Sequence, residues 1–352
     1  MVSKVSLRSF RSYERLELDL TPGLVLVVGP NGAGKTNLLE SLHVGTQGFS
    51  PRTRNDAELV RFGESVGRIA LHGRRLETPL DLEVALEPGK GKRAKLNGAL
   101  LRAAELLRAE VATLVFTPDR LAVVKAGPAV RRAYFDRALG RLFPARSPLS
   151  VEYAAVVGQR NAALRRVATG LSSPDALEPW TEHVVALGTE LVAARRQVLE
   201  LLVPGFARLM RAFGLDEGWL VYEGAPPTLA ELEERTARDL ERGTTSVGPH
   251  LHDVAVLAAD RDLRSYGSQG EQRLAVLTLL LAEAEVIADR RGSPPLLLLD
   301  DVLSELDPQR RRTLADLLPM GGQTLITSTA AAALPVEPAQ LLEVSPGRVR
   351  AG

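Results

Sequence analysis

Residues 29–36 read Gly-Pro-Asn-Gly-Ala-Gly-Lys-Thr, and the acidic strand that would complete such a loop, residues 296–301, places Asp300 265 residues after Lys35. Both halves must meet in one sheet, so the fold has to carry a large insertion between them. The loop fits G-x-x-x-x-G-K-[ST] through Gly29, Gly34, Lys35 and Thr36. Residues 25–28 before it are an apolar, Val-rich run of the kind a buried parallel strand requires, and residues 37–42 after it have helical character. Strand, glycine loop and helix are the context in which backbone N–H groups can turn onto phosphate oxygens, with the helix N-terminus adding partial positive charge. The reading is a nucleoside triphosphate, ATP or GTP, cradled by Gly29, Pro30, Asn31, Gly32, Ala33, Gly34, Lys35, Thr36 and Asn37. Lys35 reaches the β- and γ-phosphates, and Thr36 offers its hydroxyl to Mg²⁺.

Leu296–Leu299 is followed by Asp300 and Asp301. Acids at the end of so apolar a strand are costly unless they serve a cation or polar ligand. Asp300 is the expected Mg²⁺-linked carboxylate, and Asp301 the group that polarises the attacking water, with a helix N-cap as its structural alternative. Ser268-Gln269-Gly270-Glu271 stands between the two halves of the site and opens a predicted helix over 273–289. In isolation it could be an ordinary cap; its order resembles ATP-binding-cassette ATPases, in which this serine and helix end bind the γ-phosphate held by the opposite subunit. A hydroxyl at a helix N-terminus is a good anion site, so ATP would join two copies that ADP releases.

The remaining elements arrange themselves around that site. Short strands are expected near residues 5–7, 15–20, 24–28, 69–72, 80–85 and 112–116, with a short helix at 101–108. From 129 to about 240 the apolar spacing turns helical. The expected plan is therefore α/β, a mixed sheet with flanking helices as in an ABC/SMC-type P-loop ATPase head, with an inserted α-helical lobe. Residues 1–129 and 244–352 would form the discontinuous head (lobe I), and 130–243 the insertion (lobe II). The 352 residues suit about two domains. No run of 18 apolar residues suggests a membrane span, and the N-terminus lacks a signal-peptide core. The absence of cysteine excludes disulfides and thiolate zinc sites, and is compatible with a cytoplasmic location.

Net charge is only +1, but residues 90–146 hold thirteen Lys/Arg against four Asp/Glu. Lys90, Lys92, Arg93 and Lys95 crowd a Gly-rich hairpin-like stretch, and Arg131 and Arg132 follow. These six are the candidate nucleic-acid contacts, with intramolecular ion pairs as the alternative. Aromatic residues are only 4% of the chain, and no stacking array stands out, which favours sequence-independent duplex binding over base stacking.

Further segments make the resemblance specific: 7–13 (Leu-Arg-Ser-Phe-Arg-Ser-Tyr), 29–39, 95–98, 115–121, 127–136, 159–164, 248–250, 268–273 and 297–307. With these the sequence resembles, over essentially its whole length, the RecF family of bacterial recombination mediators. The resemblance implies a cytoplasmic DNA-repair ATPase with an SMC-like head and no long coiled coil. Its ATP-bound dimer binds DNA and, with RecO and RecR, helps load RecA at single-stranded gaps; DNA replication and the SOS response are associated processes. It also implies slow, DNA-stimulated hydrolysis, for which the short side chain of Asp301, where transporter cassettes carry Glu, gives a physical reason. The alternative is an ATPase subunit of another SMC-like or transporter system. One departure stands out: the family's Gly-Pro-His-Arg-Asp-Asp is here Gly248-Pro-His250-Leu251-His252-Asp253, whose two histidines and aspartate could be read as metal ligands but alternate faces of one strand.

Overall fold

The computed structural model describes residues 1–319 and 321–352. The chain divides into two compact units, one of residues 1–120 and 283–352, the other of residues 121–282. The expected insertion, 130–243, lies within the second unit.

In chain order the first unit begins with β1 Val2–Phe10, β2 Tyr13–Asp19 and β3 Gly23–Val28, followed by α1 Lys35–Gln47. It continues with β4 Gly67–Arg75, β5 Thr78–Glu87, β6 Gly91–Leu96, β7 Ala99–Leu100 and β8 Thr113–Phe116. The second unit holds α2 Ala122–Lys125, α3 Pro128–Leu142, α4 Leu149–Ala168, α5 Glu178–Ala212, β9 Gly218–Glu223, α6 Leu229–Glu234, α7 Thr236–Arg242, β10 Asp253–Ala258, β11 Arg261–Asp262 and α8 Leu263–Tyr266. Helix α9 Gln269–Arg291 runs back into the first unit, which closes with β12 Leu296–Leu299, α10 Pro308–Leu317, β13 Gln323–Ser328, β14 Gln340–Ser345 and β15 Arg348–Ala351.

Two six-stranded sheets build the first unit. One is antiparallel, in the order β2-β1-β4-β5-β6-β7; the other runs β15-β14-β3-β13-β12-β8, with all neighbours parallel except the β14–β15 hairpin. The strand before the nucleotide loop (β3) and the acidic strand (β12) are thus separated only by β13. The leucines of β12 face buried surroundings on both sides, which is why the strand reads as an unbroken apolar run rather than an alternating one. The antiparallel strands alternate instead: Val5, Leu7, Ile69, Leu71, Leu82 and Val84 point into a core shared with Val25, Val27, Leu298 and Leu325. Helix α1 contributes Leu38, Leu39 and Leu42 to that core. Ten of its thirteen residues are buried, so it has no solvent face of ordinary width. Gly45 has no side chain because a Cβ there would press on Leu71 and Ile69 of β4.

In the second unit α4 and α5 carry the helical spacing expected from the sequence. The region is not wholly helical: β9 falls inside it and pairs antiparallel with β10 over Glu223↔Asp253 to Gly218↔Ala258. The run Trp-Leu-Val-Tyr favours strand by propensity, and pairing with a segment thirty residues later supplies the rest. Residues 101–108, expected as a helix, give only a 3₁₀ turn at Ala104–Ala109. Among the helices Arg160 is fully buried and donates to Asp239, Thr181 and Thr245, with Asp239 equally buried.

Removing one partner of such a pair leaves an uncompensated buried charge. Asp239→Ala should lower unfolding free energy by about 3–5 kcal/mol, and Arg160→Met with Asp239→Leu should recover most of that loss. Chemical denaturation of the three proteins checks this.

Candidate nucleotide site

The loop after β3 owes its shape to glycine. Gly32 and Gly34 have φ of +78° and +114°, conformations that a side chain strains, and Gly34 is also the residue from which α1 starts. A Cβ on Gly34 would meet the hydroxyls of Ser12 and Tyr13 at 3.0 Å. Those hydroxyls belong to the segment Phe10-Arg11-Ser12-Tyr13, which braces the loop from the β1–β2 turn. Tyr13 donates to the Gly34 carbonyl at 3.0 Å, and Asn37 Nδ2 donates to Ser12 Oγ at 2.9 Å. Arg11 makes two parallel bonds of 2.9 Å to Glu40 of α1, whose buried carboxylate also accepts from Ser50 and Arg52.

Lys35 Nζ donates to the carbonyls of Gly29 and Pro30 at 2.7 and 3.0 Å. Burial holds its pKa below the usual lysine value, against the opposing pull of Asp301 and Asp300. Thr36 Oγ1 lies 2.9–3.0 Å from both carboxylate oxygens of Asp300, and Thr327 Oγ1 donates to Asp300 Oδ1 at 2.7 Å. Two hydroxyls therefore hold one buried carboxylate. Burial pushes the Asp300 pKa up, and the hydroxyls and Arg52 only partly offset it. A dication beside Asp300 would relieve that penalty. The oxygen donors of Thr36 and Asp300 suit Mg²⁺, which binds few protein ligands and keeps the rest of its shell for water and phosphate.

Asp301 has the left-handed φ of +52°, unusual for a residue with a side chain. Its N–H donates to Thr327 Oγ1 at 2.8 Å, which ties the turn to the end of β13. The alternative role as a cap is not realised, since its side chain caps nothing at the 3₁₀ turn Val302–Glu305; Asp307 is the residue whose side chain caps α10. The Asp301 carboxylate is exposed and lines, with Asn31, Lys35, Thr36, Arg52 and Thr327, a cavity of about 240 Å³. Residues 29–37, Asp300 and Asp301 are thus brought together. Arg52 has no motif to announce it; it arrives from the loop after α1. Thr327 sits at the end of the last parallel strand but one.

Ser268, Gln269 and Gly270 belong to the second unit and are exposed at the start of α9. Ser268 and Glu271 form a reciprocal cap: Glu271 Oε2 accepts from the Ser268 N–H at 2.7 Å, and Ser268 Oγ accepts from the Glu271 N–H at 3.2 Å. A side chain on Gly270 would meet nothing within 4 Å.

The residues expected to touch DNA fare differently. Arg131 is buried, pairs with Asp253 and donates to the carbonyls of Val124 and Ala126. That corrects the expectation of a DNA contact: its guanidinium is committed to the interior of its unit. Arg132 is half-buried and donates to the His252 carbonyl at 2.6 Å. On the β5–β6 hairpin Lys90 and Arg93 face Glu87, Lys95 faces Glu83, and Lys92 faces Asp56 and Glu105. The exposed pairs of Lys90, Arg93 and Lys95 contribute about 0–1 kcal/mol each, so phosphates can compete for those cations, whereas Lys92 is half-buried between its two acids. His250, His252 and Asp253 do not converge: their partners are Tyr153, Tyr222 and Arg131, and no metal-holding group of His, Cys, Asp or Glu occurs among the described residues.

The fold and site define a P-loop ATPase head of the SMC kind. The described sequence matches the RecF/RecN/SMC N terminal domain over residues 1–346. The DNA replication and repair protein RecF of Heliobacterium modesticaldum is 37% identical, covering 100% of this chain and 98% of that protein. RecF of Halalkalibacterium halodurans is 32% identical, covering 93% of this chain and 92% of that protein. A solved structure of the recombination mediator protein RecF with ATP, in the RecFOR pathway, superposes with a TM-score of 0.90 at 27% identity, covering 100% of this chain and 97% of that one. The Smc head bound to the C-winged helix domain of ScpA shares the fold at a TM-score of 0.62 and 16% identity. The chain belongs to the RecF family.

Thr327→Val keeps the volume but removes the hydroxyl that orients both aspartates. Hydrolysis should fall about 10–100-fold, the usual effect of losing such a supporting bond, while ATP affinity in a filter or fluorescence titration changes little. His252 is held down to about 4, first by burial and then by Arg195, His250 and Arg132. Below its ordinary value of 6.5 the unfolded chain takes up a proton that the folded chain refuses, so stability is lost as pH falls from about 6.5 toward 4. His252→Gln should flatten that part of a plot of melting temperature against pH.

Proposed function

We propose that this protein is an ATP-dependent, DNA-binding recombination mediator of DNA replication and repair. In this reading it dimerises on ATP and assists RecA loading at single-stranded gaps together with RecO and RecR, within the RecF pathway of the cytoplasm. The observation that carries the reading is the division of labour between the two units of the chain. One unit holds the loop, Lys35, Thr36, Asp300 and an Asp301 carboxylate free of any cap. The other presents Ser268-Gln269-Gly270 at an exposed helix start, where the partial positive charge of the helix end favours an anion. These are the two halves that a cassette ATPase draws from different copies; in this reading the head spans 1–129 and 244–352, so it takes in the Ser268 helix start from the second unit, and 130–243 is a mainly helical lobe that also carries β9.

Each group then has a task. The loop N–H groups and Lys35 bind and orient the triphosphate. Thr36 and Asp300 would hold Mg²⁺, which supplies charge neutralisation at the phosphates when bound. Asp301 orients the attacking water, and its short reach together with a backbone fixed by Thr327 suits a weak, DNA-dependent ATPase. Hydrolysis serves as the release switch for dimer and DNA.

Two substitutions separate the halves. Lys35→Met should abolish nucleotide binding and with it the ATP-dependent dimer in sedimentation velocity. Ser268→Arg should leave ATP binding within about threefold of the parent, because the serine acts on the other copy's nucleotide, yet prevent dimers. A Ser268→Arg protein that still pairs fully at saturating ATP would contradict the arrangement.

A further inference from the structure

The outer face of the antiparallel sheet carries a charge pattern that the nucleotide site does not use. Strand register sets Arg15 opposite Arg8, Arg8 opposite Arg68, Arg68 opposite Ala85, and Ala85 opposite Arg93. Four arginines therefore form one row across β2, β1, β4 and β6, interrupted only by Ala85 on β5. All four are exposed. With neighbouring strands ~4.8 Å apart, the row spans roughly 19 Å.

Like charges directly opposite one another weaken a sheet, and no acid occupies this row to offset them. The side chains of Arg8, Arg15 and Arg68 make no hydrogen bond or ion pair among the described residues, Arg15 feels Glu17 only at longer range, and Arg93 has only the 3.6 Å approach of Glu87. The acids of the adjoining row are already engaged: Glu17 with Ser6 and Lys4, Glu83 with Lys95. Arg8, Arg68, Arg93 and Lys95 also line, with Glu17 and Glu83, a depression of about 630 Å³ on this face.

We propose that the arginine row grips the sugar–phosphate backbone of duplex DNA. The inference rests on the reading above that the protein binds DNA, and it names where. A row of guanidinium groups meets a row of phosphates with charge-assisted, often bidentate bonds. Along one strand of B-form DNA, phosphates advance about 3.4 Å per nucleotide along the axis while winding around it, so a straight row of this length meets only the few phosphates that face it. No Phe, Tyr or Trp points from this face, so bases have nothing to stack on and sequence is not read. The basic hairpin noted from the sequence joins the row through Arg93, with Lys95 in the adjoining row opposite Glu83.

The test is a titration of a fluorescent duplex with the full chain and ATP at several salt concentrations. Arg8→Ala, Arg15→Ala, Arg68→Ala and Arg93→Ala combined should weaken binding by roughly tenfold or more and make the slope of log affinity against log salt shallower by about 2–4. ATP binding, ATP-dependent dimerisation and melting temperature should be retained, since removing opposed like charges does not harm the sheet. Glu17→Gln with Glu83→Gln, which leaves every arginine in place, should instead tighten binding. If the parent binds duplex and the fourfold variant binds it with the same affinity and slope, the row is overturned while DNA binding stands. If the parent does not bind duplex even at low salt, the DNA-binding reading fails and the row with it.

Discussion

The carboxylate of Asp300 is the point on which the nucleotide site closes. It accepts hydroxyl bonds from Thr36, 264 residues earlier, and from Thr327, 27 residues later. Those contacts bind the end of β12 to the start of α1 and to the end of β13. A buried acid is costly, and two hydroxyls repay only part of that cost. The site is therefore poised for a cation. Thr327 does a second job by accepting the Asp301 N–H, so the two acids are oriented by one side chain.

Behind that point stands α1, enclosed by the two sheets of its unit. A helix buried on nearly every side could not carry Glu40, Ser41, Thr46 and Gln47 unless each found a partner, and each does. Glu40 is the clearest case. Its carboxylate collects Arg11 from the β1–β2 turn and Arg52 from the loop after the helix, and both residues lie beside the nucleotide loop. The loop's position is thus fixed by the same interactions that allow the helix to be buried.

Much of this was legible in the sequence because it rests on local patterns. The loop, its flanking strand and helix, the leucine strand with Asp300 and Asp301, and the helix opening at Ser268 all follow from residue type and spacing. What the sequence concealed depends on partners far away in the chain. β9 pairs with a strand thirty residues later, and the terminal hairpin β14–β15 turns at Pro346-Gly347 without a strong apolar alternation. Arg131 sits in a basic stretch like its neighbours, yet its place on the buried side of α3 and the reach to Asp253 turn it inward. The arginine row shows the converse. Arg8, Arg15, Arg68 and Arg93 are scattered over 86 residues, and only strand register makes them neighbours.

The central claim is that one triphosphate is held by the loop of one copy and the helix start of another. The chain contains no cysteine, so thiol chemistry can be confined to introduced positions. Asn31→Cys in one preparation and Gln269→Cys in a second place single thiols beside the loop and at the helix start. Mixed and treated with a short bifunctional maleimide, they should give a cross-linked pair at saturating ATP and only background with ADP. Equal yields in both nucleotides, or none with ATP while it is demonstrably bound, would contradict the claim.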